Sequence, residues 1–338
     1  MAVGPLVLLV GAGPVQAGQA LEATGGGAAL VVEGGEARLE TGDGAVRIPW
    51  PERALASAVQ STVDGWLVAG TRSADGQAPG LFFLAVAEGL ARPLDAPAPA
   101  ARGARQMSPV PFVDQGRLVG AVWLEGERDD ALGVRAAVWS AGRFRRPSWV
   151  SPPRAGSQLA PSGAVLADGS WLLVWTAFDG RDDEVMWSRR AGSSWLPPAR
   201  VDRDDSWPDI TPALAPVAGL GADGALLAWS GYDGETYRTV TAQFAGNAWR
   251  LPAAAGGAGS LYPAFRGEAG RLHLLYLDAL RGAWEVIQFD AQGRPLRRAA
   301  APALAGDETP LLEPGEREVV LRWPGRANVA RGAWRKAP

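Results

Sequence analysis

Two stretches of this 338-residue chain gather side chains that could do chemistry. Asp179, Arg181, Asp182, Asp183 and Glu184 form the first, and Asp202 to Asp209, with Asp204, Asp205 and Trp207 inside it, forms the second. Asp233 and Glu235 follow one repeat later, and Glu125, Glu127, Asp129 and Asp130 precede them. Carboxylates brought together can hold a cation such as calcium, which takes several oxygen ligands, or can grip sugar hydroxyls beside a stacking indole. None of these clusters has the spacing of a calcium loop, so no cofactor is expected, and calcium is the one ion the acidic groups would suit. The plainer reading is a solvated rim, interleaved with Arg181 and Arg203 in surface ion pairs worth little.

Other chemistries are excluded by what is scarce. The chain has no Cys, so disulfides, thiol nucleophiles and thiolate-held metals are absent. His273 is the single histidine and Lys336 the single lysine, which removes multi-histidine metal sites and most amine chemistry. His273 lies mid-strand in the run Leu272 to Tyr276, and the chain has no Gly-x-Ser-x-Gly elbow to pair with it. A net charge of −3 offers no field for a polyanion, so nucleic acid is not an expected partner.

The elements that must carry these residues are strands. Pro109, Pro161, Pro212, Pro263 and Pro310 recur with a period of roughly 50 residues, a spacing typical of propeller blades. A strand-like run after each proline ends near an aromatic: Trp123, Trp175, Trp229, Tyr276 and Trp323 in turn. Turn signals lie between these anchors or in register with them: Asp64-Gly65, Gln115-Gly116, Asp168-Gly169, Asp223-Gly224, Ala269-Gly270 and Pro314-Gly315. Such pairs between apolar runs mark hairpins, because the turn needs positive φ. No sustained 3.6-residue apolar period appears, so the expected fold is all-β, with blades of four antiparallel strands. The repeating aromatics are expected to pack between neighbouring blades.

These repeats resemble the sialidase-like propellers of the bacterial neuraminidase repeat family, whose third and fourth strands are joined by an Asp-box hairpin, Ser-x-Asp-x-Gly-x-Thr-Trp. The segment Ser188 to Trp195 keeps the Ser, the Gly, a hydroxyl and the Trp, with Arg190 where the family has Asp. Gly246 to Trp249 keeps only the second half. The resemblance implies the propeller fold. Carried to catalysis it would imply an exo-sialidase: Arg47 in Val46 to Pro49 and Arg72 in Leu67 to Arg72 for the substrate carboxylate, Asp75 as the acid and Tyr262 as the nucleophile. Val46 stands where that family has an aromatic, and the stretch from Pro49 to Gly65 is longer than the family's.

Residues 1–20, with the apolar run Leu6 to Val10 and Val15-Gln16-Ala17 after it, read as a signal peptide or a disordered leader, too short to span a bilayer. A periplasmic or secreted location is expected on the first reading and a cytoplasmic one on the second. Residues 28–338 are expected to form a single six-bladed propeller whose N-terminal strands complete the last blade, with seven blades as the alternative. The degenerate boxes and incomplete catalytic set point to a monomeric, non-catalytic protein that holds a glycan or protein ligand on its acidic loops. A divergent exo-sialidase and a structural module of a larger assembly are the competing readings.

Overall fold

The computed structural model describes residues 19–22, 28–33, 36–41, 44–51, 53–73, 76–154, 156–178, 181–202, 208–250, 252–268, 271–303, 310–323 and 329–337. The expected leader lies almost wholly outside them. Ala218–Leu220 is the one helical turn among the described residues, and no helix there is long and apolar enough to cross a membrane.

Seven antiparallel sheets follow one another along the chain as the blades of a β-propeller. The first is Gln19–Glu22, Ala29–Glu33, Glu36–Thr41 and Gly44–Ile48, and the second Ala54–Thr62, Gly65–Arg72, Gly80–Ala87 and Leu90–Leu94. The third is Arg105–Asp114, Arg117–Gly126, Gly133–Ser140 and Arg143–Ser151. The fourth has Gln158–Val165, Trp171–Phe178 and Asp183–Ala191, and the fifth Asp209–Pro216, Ala225–Tyr232 and Tyr237–Ala245. Their outer strands are reduced to pairs of residues, Ser194–Trp195 with Ala199–Arg200 and Ala248–Trp249 with Ala253–Ala254. The sixth is Ser260–Glu268, Arg271–Asp278, Ala283–Phe289 and Pro295–Pro302, edged by Arg335–Lys336, and the seventh is Leu311–Pro314, Glu318–Arg322 and Val329–Ala333.

Seven blades correct the expectation of six, and the N-terminal strands do not complete the last blade. They pair with one another, because their own alternation suffices for a sheet: Leu30, Val32, Ala37, Leu39 and Ile48 are buried and pack on the second blade. A cluster of buried apolar side chains lies at each junction from the first blade to the seventh. Each strand-closing aromatic lies in the junction with the preceding blade, Trp123 with the second, Trp175 with the third, Trp229 with the fourth, Tyr276 with the fifth and Trp323 with the sixth.

From the first to the sixth blade, opening strands of neighbouring blades touch, so these strands line the axis. The repeated prolines mark a bulge on four of them. Ser108, Ala160, Thr211 and Tyr262, each directly before a proline, have φ of 53, 47, 54 and 56°, and the ladder slips register there. A bulge leaves one residue unpaired and bends the strand, and proline, which has no N–H, fits such a place. The freed Ser108 and Tyr262 N–H groups donate to Thr71 Oγ1 at 3.0 Å and Ser230 Oγ at 3.2 Å on the preceding blade.

The turn expected at Gln115-Gly116 has both residues at positive φ, 45 and 73°. Strand alternation then places all first-to-second and third-to-fourth turns at one end of the blades. The second-to-third loops and the blade-to-blade segments lie at the other end, where the Ser157 hydroxyl donates to the Asp129 carbonyl O across that boundary.

Candidate functional site

The expected acidic loops share this second end, but they are not equivalent. In the third blade Glu125 is fully buried and accepts from Arg135 Nη1 (2.8 and 2.9 Å), Trp123 Nε1 (2.7 Å), Gln106 Nε2 (3.1 Å) and the Ala100 N–H. Asp129 pairs with Arg105 at 2.7 Å and Asp130 with Arg128. That cluster is a structural bolt with a rim of exposed ion pairs. Asp233 is also committed to its own loop: Arg238 and the N–H groups of Thr236 and Glu235 hold its carboxyl down at about 2.

Among the described residues, Glu184, Asp202 and Asp209 converge where the fourth blade meets the fifth. Asp183 opens the third strand of the fourth blade, and burial followed by the charge of Asp182 pushes its carboxyl above the usual range. Asp209 opens the axial strand of the fifth blade opposite Gly231, where a Cβ would come within 2.9 Å of its Oδ1. Glycine at that place makes room for the carboxylate. Glu184, Asp202 and Asp209 each bring an oxygen within 4.8 Å of the others, and Glu184 is met by Arg200 Nη1 at 3.1 Å. These are the residues that could hold a cation. Arg181 is exposed at the head of the loop.

Two tyrosines stand beside this cluster: the Tyr232 N–H donates to the Pro208 carbonyl O at 3.1 Å, one residue from Asp209. The rings of Tyr232 and Tyr237, which frame the second-to-third loop of the fifth blade, have centroids 5.1 Å apart. The Tyr237 phenol is raised, first by burial and then by Asp183, Tyr232, Asp209 and Tyr262 around it. Tyr262 lies at the axial bulge of the sixth blade with its side chain packed toward the seventh; its N–H donates to Ser230 Oγ, which lies 3.0 Å from Thr211 Oγ1. Two of the four tyrosines in the chain thus pair at this loop. The fourth, Tyr276, is buried, its hydroxyl on the Ala255 carbonyl O at 3.2 Å, and burial raises it to about 12. Tyr232 and Tyr237 were not singled out from sequence. The signal was there: two of four tyrosines frame one acidic loop.

Asp75, Asp179, Asp204, Asp205 and Trp207 lie outside the described residues. Of the sialidase set, Arg47 is exposed on the outermost strand of the first blade and pairs with Glu36 at 2.6 Å. Arg72 ends the second strand of the second blade, and Tyr262 is on the axial strand of the sixth. These three residues share no element and no described contact.

His273 is fully buried in the sixth blade, with its ring stacked near Trp334 at 6.1 Å. Burial, then the charges of Arg297 and Arg271, lowers it to about 4. In the unfolded chain it would titrate near 6.5, so between these values the unfolded state binds more protons. Its contribution to stability is therefore complete above about pH 6.5 and is lost as the pH falls toward 4, a difference on the order of 3 kcal/mol. Denaturant midpoints across that window should fall for the wild type and fall less steeply for His273→Leu. Parallel slopes would assign the acid sensitivity elsewhere.

No family model and no curated protein sequence matches the chain. Among solved structures, one of prolyl endopeptidases matches with a TM-score of 0.52 and 14% identity, over 95% of this chain and 50% of that one, so this chain spans half its length. A lectin of Aleuria aurantia matches with a TM-score of 0.48 and 8% identity, over 82% of this chain and 93% of that one. An α-L-arabinanase of Penicillium chrysogenum matches with a TM-score of 0.47 and 9% identity, over 82% and 92%. At these identities the likeness is one of fold, the β-propeller.

Proposed function

We propose that the protein binds a neutral glycan, without turning it over, on the acidic loop face where the fourth and fifth blades meet. The observation that carries this reading is the convergence of Glu184, Asp202 and Asp209, with oxygens within 4.8 Å of one another, beside the Tyr232 and Tyr237 rings 5.1 Å apart. Tyrosine offers an apolar ring face and a polar tip, and carboxylates accept from sugar hydroxyls. The same acidic groups would repel an anionic sugar, which disfavours a sialoside here.

Calorimetric titration with neutral xylo-, arabino- and cello-oligosaccharides tests the proposal. Tyr237→Ala should weaken the best ligand at least about tenfold, some 1.4 kcal/mol, and Asp183→Asn should weaken it as well. Running the titration with and without calcium asks whether Glu184, Asp202 and Asp209 contribute through an ion. Absence of binding across the panel would sink the reading. Release of product from an aryl sialoside, abolished by Tyr262→Phe, would replace it with the exo-sialidase.

A further inference from the structure

A second site of opposite charge lies at the other end of the blades. A groove of about 460 Å³ runs between the third and fourth blades, within the range of roughly 300 to 1,000 Å³ usual for small-molecule sites. One wall is a cross-strand row of the fourth blade, Trp171, Arg190 and Trp195, which are register partners on one face of the sheet. Arg190 lies over the Trp171 ring at 4.5 Å. The facing wall carries Arg145 and Arg146 from the outer strand of the third blade. Arg146 precedes Pro147 with φ of 52°, and the ladder slips register between Ala136 and Val138. That bulge turns two successive arginines into the groove mouth, which Ser140, Ser148 and Ser193 also line.

The charges in this groove are unanswered. Arg189, beside Arg190 but on the opposite sheet face, closes on Asp168 and on Asp223 at 3.5 Å, and Arg135 of the third blade closes on Glu125 at 2.8 Å. Neither Arg145, Arg146 nor Arg190 forms an ion pair with any described carboxylate, and Arg145 Nε donates only to the Ser140 carbonyl O at 3.1 Å. Burial alone lowers Arg190, with no carboxylate opposing it. Three guanidinium groups around one concavity call for an anion, and their planar forks match carboxylate or sulfate in pairs of hydrogen bonds.

We propose that this groove binds an acidic saccharide, its carboxylate or sulfate groups on Arg145, Arg146 and Arg190 and its hydroxyls on the serines beside Trp195. Arg190 stands where the Asp-box pattern has its aspartate, so the change that breaks the motif supplies the cation. This site is independent of the neutral-glycan reading of the other face.

The test is calorimetric titration of the whole chain with a heparin-derived hexasaccharide in about 150 mM salt, where long-range attraction is screened. Binding is expected, with at least a tenfold loss, about 1.4 kcal/mol, in Arg145→Gln/Arg190→Gln and wild-type affinity in Arg92→Gln, an arginine on the outer strand of the second blade. Arg145→Gln alone, on a half-exposed side chain, serves should the double variant fail to fold, and is expected to weaken binding as well. No binding by the wild type, unchanged affinity in both groove variants, or an equal loss in Arg92→Gln would overturn the proposal. Displacement of the hexasaccharide by an equal concentration of inorganic sulfate would overturn its saccharide part and leave a small-anion site.

Discussion

Glu125→Ala is expected to destabilise the protein by about 3 to 5 kcal/mol, the usual cost of removing one partner from a buried charge pair. The carboxylate is fully buried and answers four donors from three places: Arg135 on the next strand, Trp123 on its own, and Gln106 and the Ala100 N–H from the blade's entry. Without it the Arg135 guanidinium, 12% exposed, keeps its charge but loses its counterion. The indole and amide donors are stranded with it, which adds to the penalty. Denaturant unfolding of three variants separates these terms. Glu125→Gln keeps the shape and should cost less than Glu125→Ala. Glu125→Leu/Arg135→Met removes both charges and should recover the part of the loss due to the unpaired guanidinium, leaving the cost of the stranded indole and amide donors. If the double variant is as unstable as Glu125→Ala, packing around the carboxylate matters more than its charge.

Trp175→Ala is expected to cost a similar 3 to 5 kcal/mol through the cavity it leaves. The side chain is fully buried at the junction of the third and fourth blades, among Leu124, Val134, Leu173 and Ala177. Its indole N–H has no acceptor among the described residues, so the side chain contributes by volume and apolar area, not by a hydrogen bond. Trp175→Phe should therefore retain most of the stability that Trp175→Ala loses. Midpoints from urea unfolding, with far-ultraviolet circular dichroism to confirm the folded baseline, decide between the two. Equal losses would show that the full indole volume, which Phe does not fill, carries the packing. Because Trp175 does not itself line the basic groove, Trp175→Ala should weaken hexasaccharide binding only in proportion to unfolding.

Two local clusters of opposite sign lie at opposite ends of the blades, Glu184, Asp202 and Asp209 between the fourth and fifth blades and Arg145, Arg146 and Arg190 between the third and fourth. A net charge of −3 conceals this division, since bulk charge averages over faces that a ligand meets one at a time.

The chain by itself determined the repeating unit. Period, hairpin turns and strand-closing aromatics are local or nearly local: a turn needs positive φ at its own residues, and a blade junction needs one large apolar side chain at the same place in each repeat. Trp123, Trp175, Trp229, Tyr276 and Trp323 accordingly lie where the pattern put them. The number of blades was decided elsewhere. The N-terminal strands form a sheet of their own through pairing among Ala29–Glu33, Glu36–Thr41 and Gly44–Ile48, and four short strands with little repeat signature look the same in sequence whether they close a blade or make one. Which acidic residues face a ligand was also a tertiary matter. Glu125, Asp183, Asp209 and Asp233 look alike along the chain, yet one is bolted into the core, one is capped by its own loop, and two open strands at the junction of the fourth and fifth blades. The basic groove arises the same way. Arg189 and Arg190 are neighbours in sequence, but strand alternation sends them to opposite sheet faces, one toward aspartates and the other toward a tryptophan of its own blade and two arginines of the preceding one.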